Sequence, residues 1–331
     1  MNHTDNINTD YNINTDKLDK HEISAICFSS LPLVNFGDER AAFFGISLKT
    51  TAKATINERS NENNIEIYGC DELRSELEIF ISKIFKKFEF PYGINIQISP
   101  ENKNDKFSIF SAAGIVAYGI VACKYGIIYD EIMEKKLRTD KFTKRKLIKI
   151  HKKIYTYGEI FDDIVALINS DITYINYIQA YSSYFGGVAI GKTNETDNSE
   201  YKILRYAENE KSYVILIPKN KEDEADESEN NKGTNIKGAD EILWDEILKG
   251  NFYTAANLGC ALQSFRDKCK FHEITGYLMR AALYCGITDN YVFGVFRNKN
   301  LENISEELKN LRKFNENLII TTTNNSPAGI Y

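Results

Sequence analysis

A run of basic residues is the feature of this 331-residue chain that most directly suggests chemistry. Lys135 to Lys153 holds ten Lys or Arg residues against a single Asp. Because apolar residues are spaced through the run, the pattern predicts a long exposed helix with a solvated basic face. Such a face could bind a phosphate-rich or acidic partner, so a basic binding module is one hypothesis for function.

The cysteines do not form a metal or disulfide motif. They are scattered without a Cys-x-x-Cys pair, and zinc sites and disulfide frameworks need clustered spacing. We therefore expect buried, reduced thiols. The six residues are Cys27, Cys70, Cys123, Cys260, Cys269 and Cys285.

Composition limits the classes of function. A hydrophobic content of 43% is enough for a globular core. The net charge is -6, from 41 basic and 47 acidic residues, so the overall charge gives no reason to expect nucleic acid as a partner. We find no signal peptide pattern and no long uncharged apolar run, which predicts a cytoplasmic protein without a membrane partner.

The elements that would position functional residues follow an α+β order. Runs of β-branched and alternating apolar residues predict strands at Ile23–Phe28, Ala42–Ile56 and Leu318–Thr323. Phe107–Tyr125 is apolar on nearly every side, which predicts a helix that is buried all round. Asp71 is expected to cap another helix that runs to Phe88.

Polar segments suggest how the chain is divided. Residues 1–21 contain Asn-Ile-Asn-Thr-Asp twice and are predicted to be a disordered tail. Residues 220–237 are predicted to be a mobile acidic loop. An interrupted helical region is expected over Asp130–Ile168. We expect two domains, residues 22–200 and residues 201–331, with the acidic loop inside the second.

Four segments of the chain are similar, in the same order, to segments of one known family. They are the strand Ala41–Lys53, the turn Ser182–Val188, the helix join Trp244–Tyr253 and the tail Asn317–Tyr331, which ends Asn-Asn-Ser-Pro-Ala-Gly-Ile-Tyr. The family is that of the archaeal shikimate kinases, in the GHMP kinase superfamily. The resemblance implies a two-domain fold with an N-terminal half like domain 2 of ribosomal protein S5, which binds nucleotide, and a ferredoxin-like C-terminal half.

The same resemblance implies an activity. An archaeal shikimate kinase transfers the γ-phosphate of ATP to the 3-hydroxyl of shikimate, with Mg²⁺ bridging the phosphates. The implied cofactors are ATP and Mg²⁺, and the implied partner is a small anion such as shikimate. Metal ligands and the oligomeric state stay unassigned.

The resemblance places the nucleotide phosphates at the start of the Phe107–Tyr125 helix. Backbone N–H groups and the helix dipole attract anions at such a position. Phe107, Ile109 and Phe110 are expected to occupy the approach and to obstruct backbone contact with a triphosphate. The residues that match the family's nucleotide-binding positions are Ser108, Ser111, Ala112, Ala113 and Gly114.

The family's catalytic carboxylate corresponds to Gln179, seven residues before the first glycine of the Gly186-Gly187 turn. A glutamine can hydrogen-bond a hydroxyl but cannot accept its proton, and loss of a general base costs roughly 10²–10⁴ in rate. Three upstream carboxylates could take its place. They are Glu159, Asp162 and Asp163.

The implied substrate-binding residues combine cations with the Gly-Gly turn. Arg40 could bind a carboxylate in a bidentate manner, and Lys49 and Lys53 follow it along a strand. Gly286 is the remaining glycine of a turn that helps to close over phosphate and substrate in the family. The substrate-binding candidates are Arg40, Lys49, Ser183, Gly186 and Gly187.

Three hypotheses follow from the sequence. The first is an active kinase of the shikimate kinase type. The second is a relative that has retained the scaffold, lost phosphoryl transfer and binds a ligand or partner. The third is the basic binding module.

Overall fold

The structure, a computed structural model, describes residues 22–35, 40–57, 64–132, 144–171, 176–192, 202–206, 211–219, 238–266, 271–297 and 301–330. The predicted disordered tail at residues 1–21 and the predicted acidic loop at residues 220–237 lie outside these ranges.

Short runs of strands and short runs of helices follow one another along the chain. The strands are β1 (Glu22–Asn35), β2 (Arg40–Asn57), β3 (Ile65–Tyr68), β4 (Gly93–Pro100), β5 (Gly126–Ile132), β6 (Lys144–Ile150), β7 (Lys153–Tyr155), β8 (Val188–Lys192), β9 (Lys202–Tyr206), β10 (Tyr213–Pro218), β11 (Tyr284–Ile287), β12 (Tyr291–Phe296), β13 (Ile319–Thr322) and β14 (Gly329–Ile330). The helices are α1 (Arg74–Lys87), α2 (Lys106–Tyr125), α3 (Tyr157–Asp171), α4 (Tyr177–Phe185), α5 (Ala239–Leu248), α6 (Phe252–Arg266), α7 (His272–Ala281) and α8 (Leu301–Leu311).

Three sheets form among the described residues. The largest has the order β14-β1-β2-β4-β3, with β8 paired to β2 and β9 paired to β8. A four-stranded antiparallel sheet has the order β11-β12-β10-β13, and a smaller sheet has the order β5-β6-β7. The large sheet draws strands from both sides of residue 200, since β9 pairs with β8 and β14 pairs with β1. The domain boundary at residue 200 stays a prediction.

Helix α2 lies at the centre of the first half. It packs against β1 and β2, and α1 and α3 lie beside it. Its length and composition would allow it to cross a membrane, but most of it is buried inside the fold. A Cβ atom on Gly114 would come within 2.9 Å of the Ile164 side chain of α3, so this glycine lets the two helices approach closely. The predicted all-buried helix is confirmed.

The ribbon formed by β1 and β2 joins the two halves of the molecule. Ile23, Ala25 and Cys27 of β1 belong to the core around α2. Farther along the ribbon, Leu31 and Phe44 belong to a second core, which contains side chains of β10, β12, α5 and α6. The pairing register shifts between Phe28, opposite Lys49, and Ser29, opposite Ile46, so β2 bulges by two residues at this point.

The structure corrects the expected basic helix. Lys144–Ile150 is strand β6, and Lys153 begins β7; residues 133–143 lie outside the described ranges. In the β5–β6 register, Asp130 stands opposite Lys146, and Glu131 stands opposite Arg145. Acidic positions therefore face part of the basic run across the hairpin. The helical region expected from Asp130 is likewise wrong where the structure describes it before Tyr155, at residues 130–132 and 144–155, and α3 begins at Tyr157.

The start of the first helix also differs from the prediction. Asp71 begins a short 3₁₀ turn and forms an ion pair with Arg74, while Leu73 is the N-cap of α1 and offers no side-chain hydrogen bond. The predicted terminal strand is confirmed as β13. Thr321 and Thr323 are buried, and beyond them Ile330 pairs with Ala25 of β1.

Candidate functional site

Asp105 sets the geometry at the start of α2. It is the N-cap residue, and its Oδ1 atom accepts a hydrogen bond from the backbone N–H of Ser108 at 3.1 Å. The hydroxyl of Ser108 donates to the Asp105 carbonyl at 3.0 Å and lies 2.8 Å from the hydroxyl of Thr50. An aspartate directly before an apolar helix is a strong capping signal. Asp105 was therefore predictable from its position directly before the apolar helix, although it is not among the residues predicted from the sequence.

Further polar side chains are buried beside this cap, and together they make up the buried polar cluster. Ser183 of α4 donates to the hydroxyl of Ser30 at 3.1 Å, and Ser30 donates to the backbone carbonyl of Gln179 at 3.2 Å. Ser29 and Ser30, which lie on β1 just after the bulge, are both buried. The members of the cluster are Ser29, Ser30, Asp105, Ser108, Ser111 and Ser183.

Burial dominates the electrostatics of the cluster. It raises the pKa of the Asp105 carboxyl group, although hydrogen bonds from Ser29 and Ser108 act in the opposite direction. The pKa of the neighbouring Cys27 thiol is also raised, first by burial and then by the negative charge of Asp105. The Ser111 hydroxyl acts on the Cys27 thiol in the opposite direction, lowering its pKa, but has no hydrogen-bond partner of ordinary geometry among the described residues. The cluster therefore contains a buried hydroxyl whose hydrogen-bonding capacity is unused.

The residues that match nucleotide-binding positions lie on the helix itself. Ser108, Ser111, Ala112 and Ala113 are fully buried in the first turns of α2. Only Ser108 contributes its N–H and hydroxyl to the helix start, whereas Gly114 packs against α1 and α3. Of these residues, only Ser108 therefore presents its backbone N–H at the helix start, where such groups generally attract anions.

The bulky residues do not obstruct that helix start, contrary to expectation. Phe110 packs edge-to-face on Phe80 of α1 with ring centroids 5.3 Å apart, and Phe107 packs on Phe161 of α3. Ile109 is buried in the same core. The helix begins at Lys106, so these side chains point into the core. The group that occupies the helix start is the Asp105 carboxylate.

Gln179 lies in the first turn of α4. Asn176 caps this helix by accepting from the backbone N–H groups of Ile178 and Gln179 at 2.9 and 3.2 Å. The carbonyl of Gln179 accepts from Ser30, and Ser183 follows one helical turn later on the same face. The structure therefore brings the Ser183 side chain and the backbone carbonyl of Gln179 to the buried polar cluster.

The three alternative carboxylates are engaged elsewhere. Glu159 accepts from the N–H and hydroxyl of Thr156 in a capping box and pairs with Lys153, and the Thr156 N–H is the main cause that lowers its pKa. Asp162 accepts from the Tyr177 hydroxyl. Asp163 accepts from Tyr118 and Lys87. All three lie on α3 and have structural partners.

The Gly-Gly turn forms part of a backbone junction rather than an open binding loop. Each of three residues donates its backbone N–H to the backbone carbonyl of the next. Gly45 donates to Gly187 at 3.0 Å, Gly187 donates to Asn324 at 2.8 Å, and Asn324 donates to Gly45 at 2.8 Å. We call this closed ring of three hydrogen bonds the glycine junction. The N–H of Gly186 donates to the Ser182 carbonyl.

Close contacts explain why glycines stand at this junction. Gly186 and Gly187 have φ values of +70° and +76°, which disfavour any residue with a Cβ atom. A Cβ on Gly187 would lie 2.5 Å from the Tyr206 carbonyl oxygen, and one on Gly45 would lie 2.7 Å from that of Asn324. Arg205 donates to the carbonyls of Gly186, Phe185 and Asn325, a contact that sequence reasoning missed. Both N–H groups that could have bound substrate are used internally.

The candidate cations lie in different parts of the molecule. Arg40 pairs with Glu241 of α5 at 2.9 Å and stands over the Trp244 ring at 5.9 Å. Lys49 lies nine positions later on β2, about 25–30 Å along the strand. The Lys49 backbone N–H binds Glu101, and Lys53 pairs with Glu22. Arg40 and Lys49 therefore do not converge on one small anion in this arrangement.

Gly286 does not lie in a turn. It is in strand β11, where a Cβ atom would lie 2.4 Å from the Phe293 ring. The turn itself is formed by residues 288–291, where the Thr288 N–H donates to the Tyr291 carbonyl at 2.8 Å. Within the described ranges, no group of three or more His, Cys, Asp or Glu side chains could hold a metal ion.

Comparison with known proteins supports the architecture. No protein-family model and no curated protein matches the sequence. Among solved structures, homoserine kinase from Cytophaga hutchinsonii aligns with a TM-score of 0.62 at 10% identity, over 95% of this chain and 99% of that chain. Mevalonate kinase from Methanococcus jannaschii aligns with a TM-score of 0.59 at 15% identity, over 92% and 98%.

A third solved structure, mevalonate-3-kinase from Thermoplasma acidophilum with mevalonate 3-phosphate and ADP bound, gives a TM-score of 0.56 at 10% identity, over 94% and 98%. Identities this low establish the fold and leave the chemistry to be argued from the residues. The likeness extends over nearly the whole length of both chains in each comparison. The predicted α+β architecture is thus confirmed, and the chain has the two-part fold of the GHMP kinases.

Proposed function

We propose that this protein is an ATP-dependent phosphotransferase of the GHMP type that acts on the hydroxyl group of a small molecule. The observation that carries the proposal is the extent of the structural likeness. Kinases of homoserine and of mevalonate align over more than nine-tenths of this chain. Within this class, the sequence resemblance favours the 3-hydroxyl of shikimate as the phosphoryl acceptor.

The chain's own residues define what such a site could do. Gln179, close to the start of α2, could orient an acceptor hydroxyl through its amide but could not remove the proton. The rate would then depend on positioning and on charge neutralisation. The described residues offer no cluster of three or more His, Cys, Asp or Glu side chains that could hold Mg²⁺.

A nucleotide triphosphate does not fit the start of α2 as the structure shows it. The Asp105 carboxylate already accepts the Ser108 N–H, and it carries the same sign of charge as a phosphate. We therefore derive no catalytic step through ATP from this conformation.

The Asp105 carboxylate at the start of α2 also favours a second candidate function. With Asp105 at the helix start, Gln179 in place of a carboxylate and the Gly-Gly N–H groups used internally, the chain could be a non-catalytic relative. Such a protein would keep the scaffold and bind a ligand or partner without phosphoryl transfer. The basic binding module draws less support, because β6 is a strand whose partner β5 carries acidic positions opposite Lys146 and Arg145.

Calorimetry and a coupled ADP-release assay separate the two candidates. Titration of the full chain with Mg-ATP, and then with shikimate, homoserine and mevalonate, measures binding; ADP release with each acceptor measures transfer. Acceptor-dependent ADP release supports the kinase. Absence of ADP release with every acceptor, together with no binding of Mg-ATP, would exclude it.

Restoring the missing carboxylate gives a sharper assay. If phosphoryl transfer occurs, Gln179→Asp should raise kcat, by up to roughly 10²–10⁴-fold, because a carboxylate can accept the hydroxyl proton. Gln97→Asp on the exposed face of β4 is a matched control with the same change of charge. A kcat that both variants leave unchanged would remove Gln179 from the catalytic site.

A further inference from the structure

We infer that Asp105 is an internal occupant of the anion-binding position at the start of α2, and that the loop of residues 101–105 has to release it before a phosphate group can bind there. This inference rests on the proposed function, since it concerns how that site would be controlled. It describes an autoinhibitory contact within the chain.

The first support is the geometry of the cap. Backbone N–H groups at a helix start point outward and attract negative charge, and α2 is a 20-residue helix whose dipole adds to this attraction. The Asp105 carboxylate accepts the Ser108 N–H at 3.1 Å and is itself more than nine-tenths buried. A phosphate oxygen could not take the same N–H group while the carboxylate holds it. An ionised carboxylate would also repel a phosphate at this distance.

The second support is the unused polar capacity around the cap. The Ser111 hydroxyl is fully buried and has no hydrogen-bond partner of ordinary geometry among the described residues, with the Cys27 thiol as its polar neighbour. Buried polar groups are normally hydrogen-bonded, so an unsatisfied hydroxyl of this kind needs an explanation. A bound anion would supply an acceptor oxygen for this hydroxyl, which the Asp105 carboxylate in its capping position does not.

The third support is the way in which the loop is held. Tyr291 of β12 donates its hydroxyl to Asn102 at 3.3 Å, and the Asn104 amide lies 3.5 Å from the same hydroxyl. On the other side, the Glu101 N–H donates to the Lys49 carbonyl at 2.9 Å. The loop is thus hydrogen-bonded to β2 of the largest sheet and to β12 of the four-stranded sheet. Releasing Asp105 requires the contact between the loop and β12 to loosen.

Substitutions at the cap test the inference in the full-length chain. Asp105→Asn removes the charge, and Asp105→Ser removes the charge and most of the side-chain volume, while both residues are good N-caps that preserve α2. We expect each variant to bind Mg-ATP at least tenfold more tightly than the parent protein. Inorganic tripolyphosphate should show the same gain, because the effect concerns phosphate and not the nucleoside. Isothermal titration calorimetry measures both.

Two further variants complete the design. Tyr291→Phe removes only the hydroxyl that holds the loop, and we expect it to tighten tripolyphosphate binding by a smaller factor. Asp71→Asn makes the same change of charge at the exposed start of the 3₁₀ turn, and we expect no change in affinity. Thermal melting of each variant confirms that the fold is intact.

The outcomes separate the inference from the proposed function. Tighter binding in both Asp105 variants without phosphoryl transfer to any acceptor supports the inference and contradicts the kinase. Phosphoryl transfer by the parent protein with unchanged affinity in both Asp105 variants supports the kinase and overturns the inference. Affinities that stay equal or weaken in both variants, whatever the activity, also overturn it.

Discussion

Asp105 is subject to two opposing electrostatic effects. The helix start and the Ser108 N–H favour its ionised form, whereas burial favours its protonated form, and burial is the larger effect. A buried carboxyl whose pKa is raised makes the folded state bind a proton more readily than the unfolded chain does. Folding stability therefore decreases as the pH rises from the ordinary value of 3.8 toward the raised pKa.

Replacing this carboxyl group should therefore stabilise the protein. We expect Asp105→Asn to have a higher free energy of unfolding than the parent protein at pH 7, because asparagine keeps the cap and introduces no buried charge. Near pH 3 the difference should disappear, since the aspartate is then protonated in both states. Urea unfolding of both proteins between pH 3 and pH 8 measures this. A parent protein that is the more stable one at pH 7 would show that the cap interaction outweighs burial.

Gly187 illustrates a constraint from close backbone approach. Gly187→Ala places a Cβ 2.5 Å from the Tyr206 carbonyl at a positive φ, whereas Gly250→Ala has a similar φ of +81° and no atom within 4 Å of the new Cβ. The backbone strain is comparable in both variants, so the comparison isolates the clash. We expect Gly187→Ala to lose about 1–3 kcal/mol more stability than Gly250→Ala in chemical denaturation. Equal losses would mean that the junction adjusts without cost.

The β9 strand holds the tail through Arg205. We expect Arg205→Ala to loosen the glycine junction, because its guanidinium binds three carbonyl oxygens on two segments. Hydrogen exchange at the amides of Gly187, Asn324 and Ala328 should become faster, while the amides of β10 keep their protection. Arg297→Ala, at an exposed position after β12, is the control. Unchanged exchange at Asn324 would show that the backbone ring is sufficient by itself.

The elements differ in how well the sequence predicts them, and the reasons are physical. The α2 helix was predictable because a 20-residue helix without a polar face has to be shielded from water on all sides. The β6 strand was not, because its alternation of buried Ile148 and Ile150 is too short to outweigh the helical spacing of the surrounding charges. A strand such as β6, which depends on pairing with its neighbour β5, leaves little local signal.

The helix that carries the candidate site was predictable, but the group at its start was not. Ser108 and Ser111 lie in the first turns of α2, and their role in binding nucleotide stays a prediction. The identity of the group that occupies this start depends on where the helix begins, and helix boundaries are among the least certain features of a sequence. Arg40 and Lys49 were grouped through the family resemblance, but nine positions of one strand, at about 3.3 Å each, separate them.

The two halves of the molecule share the second core, and this should make unfolding cooperative. Phe44 of β2 is buried against Tyr284 and Phe293, with ring centroids 5.6 and 5.9 Å away, and Trp244, the single tryptophan, belongs to the same core. Phe44→Ala should therefore cost about 3–5 kcal/mol and destabilise both halves together. Tryptophan fluorescence reports this core, and far-UV circular dichroism reports all helices. The two urea transitions should coincide in the parent and in the variant, and separate midpoints would contradict the shared core.

The pairing of β14 with β1 has a consequence for synthesis on the ribosome. Ile26 pairs with Gly329, so β1 lacks a neighbour on one edge until a residue 303 positions later has been translated. At 5–20 residues per second, that interval is roughly 15–60 s. Throughout it, the nascent sheet presents unpaired N–H and C=O groups along β1, the kind of edge to which other chains add strands. The period before residue 329 emerges is therefore the one in which we expect this chain to depend most on chaperones.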